Sequence, residues 1–119
     1  MAADLTVEQM VKVINHAIED KLGRDILILN IGKITSLADY FIITTASSSR
    51  QVKAIADKVE EDMTKNGLEP RGKEGIDSQQ WVLLDYGDIM VHIFDEESRD
   101  FYNLEKLWKD APVVDPDEL

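Results

Sequence analysis

The side chains best suited to chemistry lie together in the stretch WVLLDYGDIMVHIF, residues 81–94, which places Asp85, Asp88 and His92 close along the chain. A carboxylate beside a histidine is the raw material of general acid–base catalysis, and two carboxylates can hold a divalent cation against a phosphate. Whether these groups meet depends on the turn. Asp85-Tyr86-Gly87-Asp88 is a turn sequence with glycine where a positive φ is most often required. A turn centred there pairs Leu84 with Ile89, Leu83 with Met90, Val82 with Val91 and Trp81 with His92. In that register His92 lies four residues from the turn, at ~13 Å from either aspartate and outside hydrogen-bond reach. A His–Asp dyad within the hairpin is therefore disfavoured. Asp85 and Asp88 flank a turn instead of forming a D-x-D pair on one strand, and Asp115-Pro116-Asp117 lies at the end of the chain. Metal-assisted nucleotidyl transfer thus lacks its carboxylate arrangement, and no metal or cofactor is expected.

Other reactive types are sparse. The chain has no cysteine, which removes disulfides, thiol nucleophiles and thiolate zinc sites. His16 falls on the polar side of a helical pattern with no partner nearby in sequence, as a solvated surface histidine does. Ser47-Ser48-Ser49-Arg50 opens a second helical pattern. Free backbone donors at such a place can hold an anion, and capping alone also explains the serines. Arg71-Gly72-Lys73-Glu74-Gly75 lacks the Gly-Lys-Ser/Thr ending of a P-loop and precedes a strand.

Composition narrows the class further. With 119 residues, 44% hydrophobic and 31% charged, the chain suits one folded domain. No apolar run approaches the ~18 residues of a membrane span. Met1-Ala2-Ala3-Asp4 has neither the basic flank of a signal peptide nor the arginines of a transit peptide, so a cytoplasmic protein is expected. The net charge of −11, without a cluster of basic residues, argues against nucleic acid as a direct partner. A basic protein is its natural counterpart, because opposite charge speeds encounter.

The elements that must position these residues follow from periodicity. Val7, Met10, Val11, Ile14, Ala17 and Ile18 form the apolar stripe of a helix over 7–22, with Thr6 and Gln9 as a capping box and Gly23 closing its end. Residues 25–31 are apolar on both alternating faces, as in a central strand, and 40–46 are rich in β-branched and aromatic types. Val52, Ile55, Ala56, Val59 and Met63 mark a second helix, capped by Ser48 and ended by Asn66-Gly67. Residues 69–80 read as a solvated loop. Asp95 caps a third helix reaching about Trp108, with Phe101, Leu104, Leu107 and Trp108 as its stripe. The first 110 residues make the domain, and residues 111–119 form a short acidic tail, frayed or loosely docked. This order predicts an α/β fold with one mixed sheet, containing a crossover through the second helix and a hairpin at 81–94.

Strand parity then sorts the hairpin. Val82, Leu84, Ile89, Val91 and Ile93 share an aliphatic face that belongs in the core. The opposite face collects Trp81, Leu83, Asp85, Asp88, Met90, His92 and Phe94, a mixture of aromatic anchors and acidic rim typical of protein–protein contacts. A second layer of helices over that face is the alternative, as in many α/β sheets.

Three blocks, SLADYFIITTASSSRQVKAIAD at 36–57, WVLLDYGDIMVHIF at 81–94 and ESRDFYNLEKLW at 97–108, resemble the RsfS/Iojap family of ribosomal silencing factors, in the same order. The resemblance implies a non-enzymatic translational repressor with a fold similar to nucleotidyltransferases but without their glycine-serine and paired-aspartate signature. It implies a large ribosomal subunit bound through ribosomal protein number fourteen, so that the small subunit cannot join during starvation, and members able to form homodimers. Asp39, Tyr40 and Arg50 belong to its first block and become further candidates for the partner-binding set. A small nucleotidyltransferase-like or anion-binding enzyme is the competing expectation.

Overall fold

A computed structural model describes residues 5–119; Met1-Ala2-Ala3-Asp4, from which the absence of a leader was read, lie outside the described residues. Helix α1 (Val7–Asp20) leads into strand β1 (Arg24–Asn30), a short 3-10 turn (Ile31–Lys33) and β2 (Tyr40–Ala46). Helix α2 (Ser49–Lys65) follows, then β3 (Gly72–Glu74), β4 (Trp81–Asp85), β5 (Ile89–Asp95), α3 (Glu96–Tyr102), α4 (Leu104–Leu107) and a final 3-10 turn (Pro116–Glu118). The five strands form one mixed sheet in the order β1-β2-β5-β4-β3. Only β2 and β5 run parallel; the other neighbours are antiparallel. The α/β expectation with a mixed sheet therefore holds. No helix among the described residues is long and apolar enough to cross a membrane.

Local chemistry sets the helix ends. The Thr6 side chain accepts from the Gln9 amide at 3.1 Å while Gln9 Oε1 accepts from the Thr6 amide at 2.9 Å, which is the expected reciprocal capping box. Ser48 accepts from the Gln51 amide at 3.1 Å. The Gln51 side chain donates to the Lys21 and Leu22 carbonyls at 3.0 Å each, so the start of α2 satisfies the end of α1. Gly23 is not the left-handed residue that closes α1; Leu22 is, with φ 63. Gly23 is required for a different reason, since a Cβ there would lie 2.4 Å from Ile18 Cγ2 and 2.8 Å from Thr44 Oγ1.

The sheet has a core on each side. Val82, Leu84, Ile89, Val91 and Ile93 pack with the buried stripes of α1 and α2, as parity predicts. On the other side Leu29, Ile31, Phe41, Ile43 and Phe94 pack with Leu104 and Ala111, and with Trp108 at the margin. The two-layer alternative is thus realised over part of the sheet. Arg99 ties this layer down: its guanidinium donates to Thr45 Oγ1 at 2.8 Å and to Glu105 at 3.1 Å.

Four further expectations change. The third helix does not run from 95 to 108: Asn103 adopts a left-handed conformation, φ 44 and ψ 59, and splits it into α3 and α4. The helical stripe is broken with it. Leu104 turns inward, whereas Phe101 and Leu107 are 80% and 70% exposed. Residues 69–80 are not all loop, because Gly72–Glu74 pair with β4 as an exposed edge strand. β1 is an edge strand rather than a central one, and it is apolar on both faces because Ile26 and Ile28 pack on one core and Leu27 and Leu29 on the other; its free edge is taken up by the tail. There the Asn30 amide donates to the Pro112 carbonyl at 2.9 Å, and the Val114 amide to the Ile28 carbonyl at 2.8 Å. Val114 and Leu119 pack on the first core, so residues 112–119 cover an edge that would otherwise invite another strand.

Candidate protein-binding face

The hairpin that carries the candidate residues turns one position later than its sequence suggests. The Tyr86 amide donates to the Ile89 carbonyl at 2.9 Å, leaving Gly87 and Asp88 as the two loop residues. Gly87, at φ 84, occupies the first of these positions, where a tight hairpin favours glycine. Asp85 Oδ1 accepts from the Gly87 amide at 2.7 Å and braces the turn. The pairing accordingly becomes Trp81 with Phe94, Leu83 with His92, Leu84 with Val91 and Asp85 with Met90. The register moves by two residues, which corrects every expected partner except in its choice of face.

Trp81, Leu83, Asp85, Met90, His92 and Phe94 therefore share one side of the sheet as predicted, but burial divides them. Phe94 is 0% exposed and His92 4%, so neither can present itself to a partner; this corrects their assignment as contact residues. They form the floor beneath Trp81. The indole lies 5.1 Å from the Phe94 ring and 4.4 Å from that of Tyr102 on α3, and its Nε1–H donates to His92 Nδ1 at 3.2 Å. Trp81 and Met90 are half-buried against the second core. Leu83, also half-buried, belongs to neither core cluster.

His92 has no carboxylate partner among the described residues. Asp85 sits diagonally across the hairpin, two residues along, at roughly 7 Å rather than ~13 Å, which still exceeds hydrogen-bond reach. Because Nδ1 accepts the indole proton, the neutral ring carries its own proton on Nε2, which is buried without an acceptor. Burial pushes the imidazole from its ordinary 6.5 down to about 4. That is the opposite of what a general base working near neutrality requires.

The lower-ranked candidates separate in space. Asp39 and Asp88 come together at the turn end of the sheet, where the Asp39 and Tyr40 amides donate to the Asp88 carbonyl at 2.8 and 3.1 Å. Both aspartates are exposed, and they line a polar depression with Thr35, Ser36 and Arg71. Tyr40 faces the other way. It is 7% exposed within the first core, and its hydroxyl donates to Glu8 at 3.2 Å, so it is removed from the partner face. Arg50 is exposed in the first turn of α2, the helix that packs on the opposite side of the sheet from Trp81. Among the described residues no three or more His, Asp or Glu side chains converge as metal ligands do. Sequence reasoning missed Tyr102, which wedges against Trp81 because Asn103 ends α3 there; the aromatic pair Phe101-Tyr102 was its only signal.

The match to known proteins spans nearly the whole chain. A family model described as ribosomal silencing factor during starvation, RsfS, matches residues 4–119. The ribosomal silencing factor RsfS of Bacillus subtilis is 43% identical over 110 residues, covering 92% of this chain and 93% of that protein. Among solved structures, a Chromobacterium violaceum protein superposes with a TM-score of 0.86 at 39% identity, covering 88% of each chain. One from Bacillus halodurans gives 0.81 at 35% identity, covering 91% of this chain and 98% of its own. With one mixed α/β sheet and a family match that runs from residue 4 to 119, the chain belongs to the RsfS family of ribosomal silencing factors.

Proposed function

We propose that this protein represses translation by binding the large ribosomal subunit through ribosomal protein number fourteen and excluding the small subunit, chiefly in starvation. The observation that carries the reading is the strip of Trp81, Leu83 and Met90, half-buried and apolar, beside Asp85 and Asp88 at the turn. It lies on the part of the sheet that α3 and α4 leave incompletely covered. A strip of this kind suits a protein surface: an aromatic anchor on a rigid floor, an aliphatic neighbour and an acidic rim.

Charge supports the same partner class. Lys53, Lys58, Lys65 and Lys73 each lie within 2.8–3.3 Å of a carboxylate of α2, so four of the 13 lysines and arginines are paired along that helix. The remaining acidic excess favours a basic ribosomal protein over the phosphates of ribosomal RNA. Occupation of a subunit-joining surface needs binding energy alone, so the protein acts without making or breaking a bond. A second copy of the chain is a competing occupant of the same strip, and a homodimer formed there would be inactive on the ribosome.

The test is co-sedimentation with isolated large subunits, followed by addition of small subunits. Retention on the large subunit and reduced joining are expected. Failure to co-sediment overturns the reading.

A further inference from the structure

We propose that His92 is the positioning residue for Trp81: by accepting the indole N–H from beneath, it commits that donor inside the protein, so that Trp81 meets its partner through ring carbons alone. This rests on the partner-binding reading of the Trp81 face.

The geometry is closed on three sides. Phe94 stacks on Trp81 at 5.1 Å and 27°, and Tyr102 lies at 4.4 Å and 46°. The N–H is held at 3.2 Å by a histidine that is itself 4% exposed. Phe41 abuts the His92 ring edge to face at 4.7 Å and fixes its plane. His92 sits across the hairpin from Leu83, and Trp81 across from Phe94, so the bond runs diagonally and sets the side-chain direction of Trp81 along the sheet. A tryptophan at a protein interface ordinarily keeps its N–H for the partner. Here that donor is already used. The complementary patch is accordingly apolar, or carries a cation over the ring, and supplies no acceptor to the indole nitrogen.

Three variants of the full chain test this. His92→Phe keeps an aromatic ring and removes the acceptor, whereas His92→Asn keeps an acceptor near the position of Nδ1. In the free protein, solvent exchange of the Trp81 indole N–H, identified by its loss in Trp81→Phe, is expected to rise about tenfold or more in His92→Phe and to stay within about threefold of wild type in His92→Asn. Affinity for the large subunit is expected to fall about tenfold in His92→Phe and to be largely restored in His92→Asn. A merely structural role would change the unfolding midpoint without this split. Unchanged indole exchange in His92→Phe overturns the proposal, and so does faster exchange with full affinity.

Trp81→Phe provides an independent arm should His92→Phe fail to fold. Because the partner does not use the donor, this variant, which keeps a ring and loses only the N–H, is expected to bind more tightly than Trp81→Ala; a loss as large as that of Trp81→Ala shows that the partner takes the N–H and overturns the proposal. If wild-type protein does not bind the large subunit at all, the functional reading falls while the exchange experiment still decides the role of His92.

Discussion

Trp81 and Phe94 face each other across the hairpin, yet substitution should expose opposite roles. Phe94 is fully buried between the sheet and Leu104, so Phe94→Ala is expected to cost about 3–5 kcal/mol of stability, measured by urea denaturation. Trp81 is only half-buried. Trp81→Ala should retain cooperative unfolding and lose about thirtyfold or more in affinity for the large subunit, as truncation of an interface anchor does. His92 adds a pH dependence with a defined sign. Its folded pKa of about 4 lies below the ordinary 6.5, so as pH falls the unfolded chain takes the proton first. The stability it contributes is complete above about pH 6.5 and is lost as pH falls towards 4, by up to roughly 3 kcal/mol. Comparing pH-dependent denaturation of wild type and His92→Phe isolates this loss, and parallel curves would contradict it.

Between residues and molecule, short-range signals proved legible and long-range ones did not. Caps at Thr6, Ser48 and Asp95 are set by residues three apart, and each formed where the sequence placed it. The hairpin faces were legible for a related reason. Alternation has a period of two, and moving the turn from Asp85–Asp88 to Tyr86–Ile89 shifts the register by two, which leaves parity intact. Burial within a face depends on what the rest of the chain lays over it, and strand parity could not show that Leu104 would pack on Phe94 and that Trp81 and Phe41 would close on His92, with Leu83 left outside both cores. β1 reads as central because both its faces are covered, Ile26 and Ile28 on one core and Leu27 and Leu29 on the other, and side-chain types do not show that its outer backbone edge meets only residues 112–114. β3 escaped notice because its three residues are all exposed and have no alternation. The split at Asn103 is the most testable case. Asn103→Val places a β-branched residue at φ 44 and removes an oxygen that accepts from the Lys106 amide, so it should cost about 1–2 kcal/mol and loosen Tyr102 from Trp81. Denaturation together with the Trp fluorescence of the variant checks both effects.

At the scale of the whole molecule, a net charge of −11 governs how a partner is found more than how tightly it is held. Raising ionic strength from about 0.05 to 0.5 M should slow association with a basic ribosomal protein severalfold or more and change dissociation little. Stopped-flow binding separates the two rates, and a salt effect confined to dissociation would contradict electrostatic steering. The compact shape, 37 × 31 × 25 Å, suits the proposed steric occupation, since a body of that size on a joining surface would obstruct the other subunit without moving parts. The strip of Trp81, Leu83 and Met90 is proposed as the surface that meets ribosomal protein number fourteen. The most direct measurement is the affinity of the purified ribosomal protein for wild type and for Leu83→Asp, which places a charge on the strip outside both cores. Wild type is expected to bind, and Leu83→Asp, still folded, to bind about a hundredfold more weakly; equal affinity of the two proteins would contradict a contact through this strip.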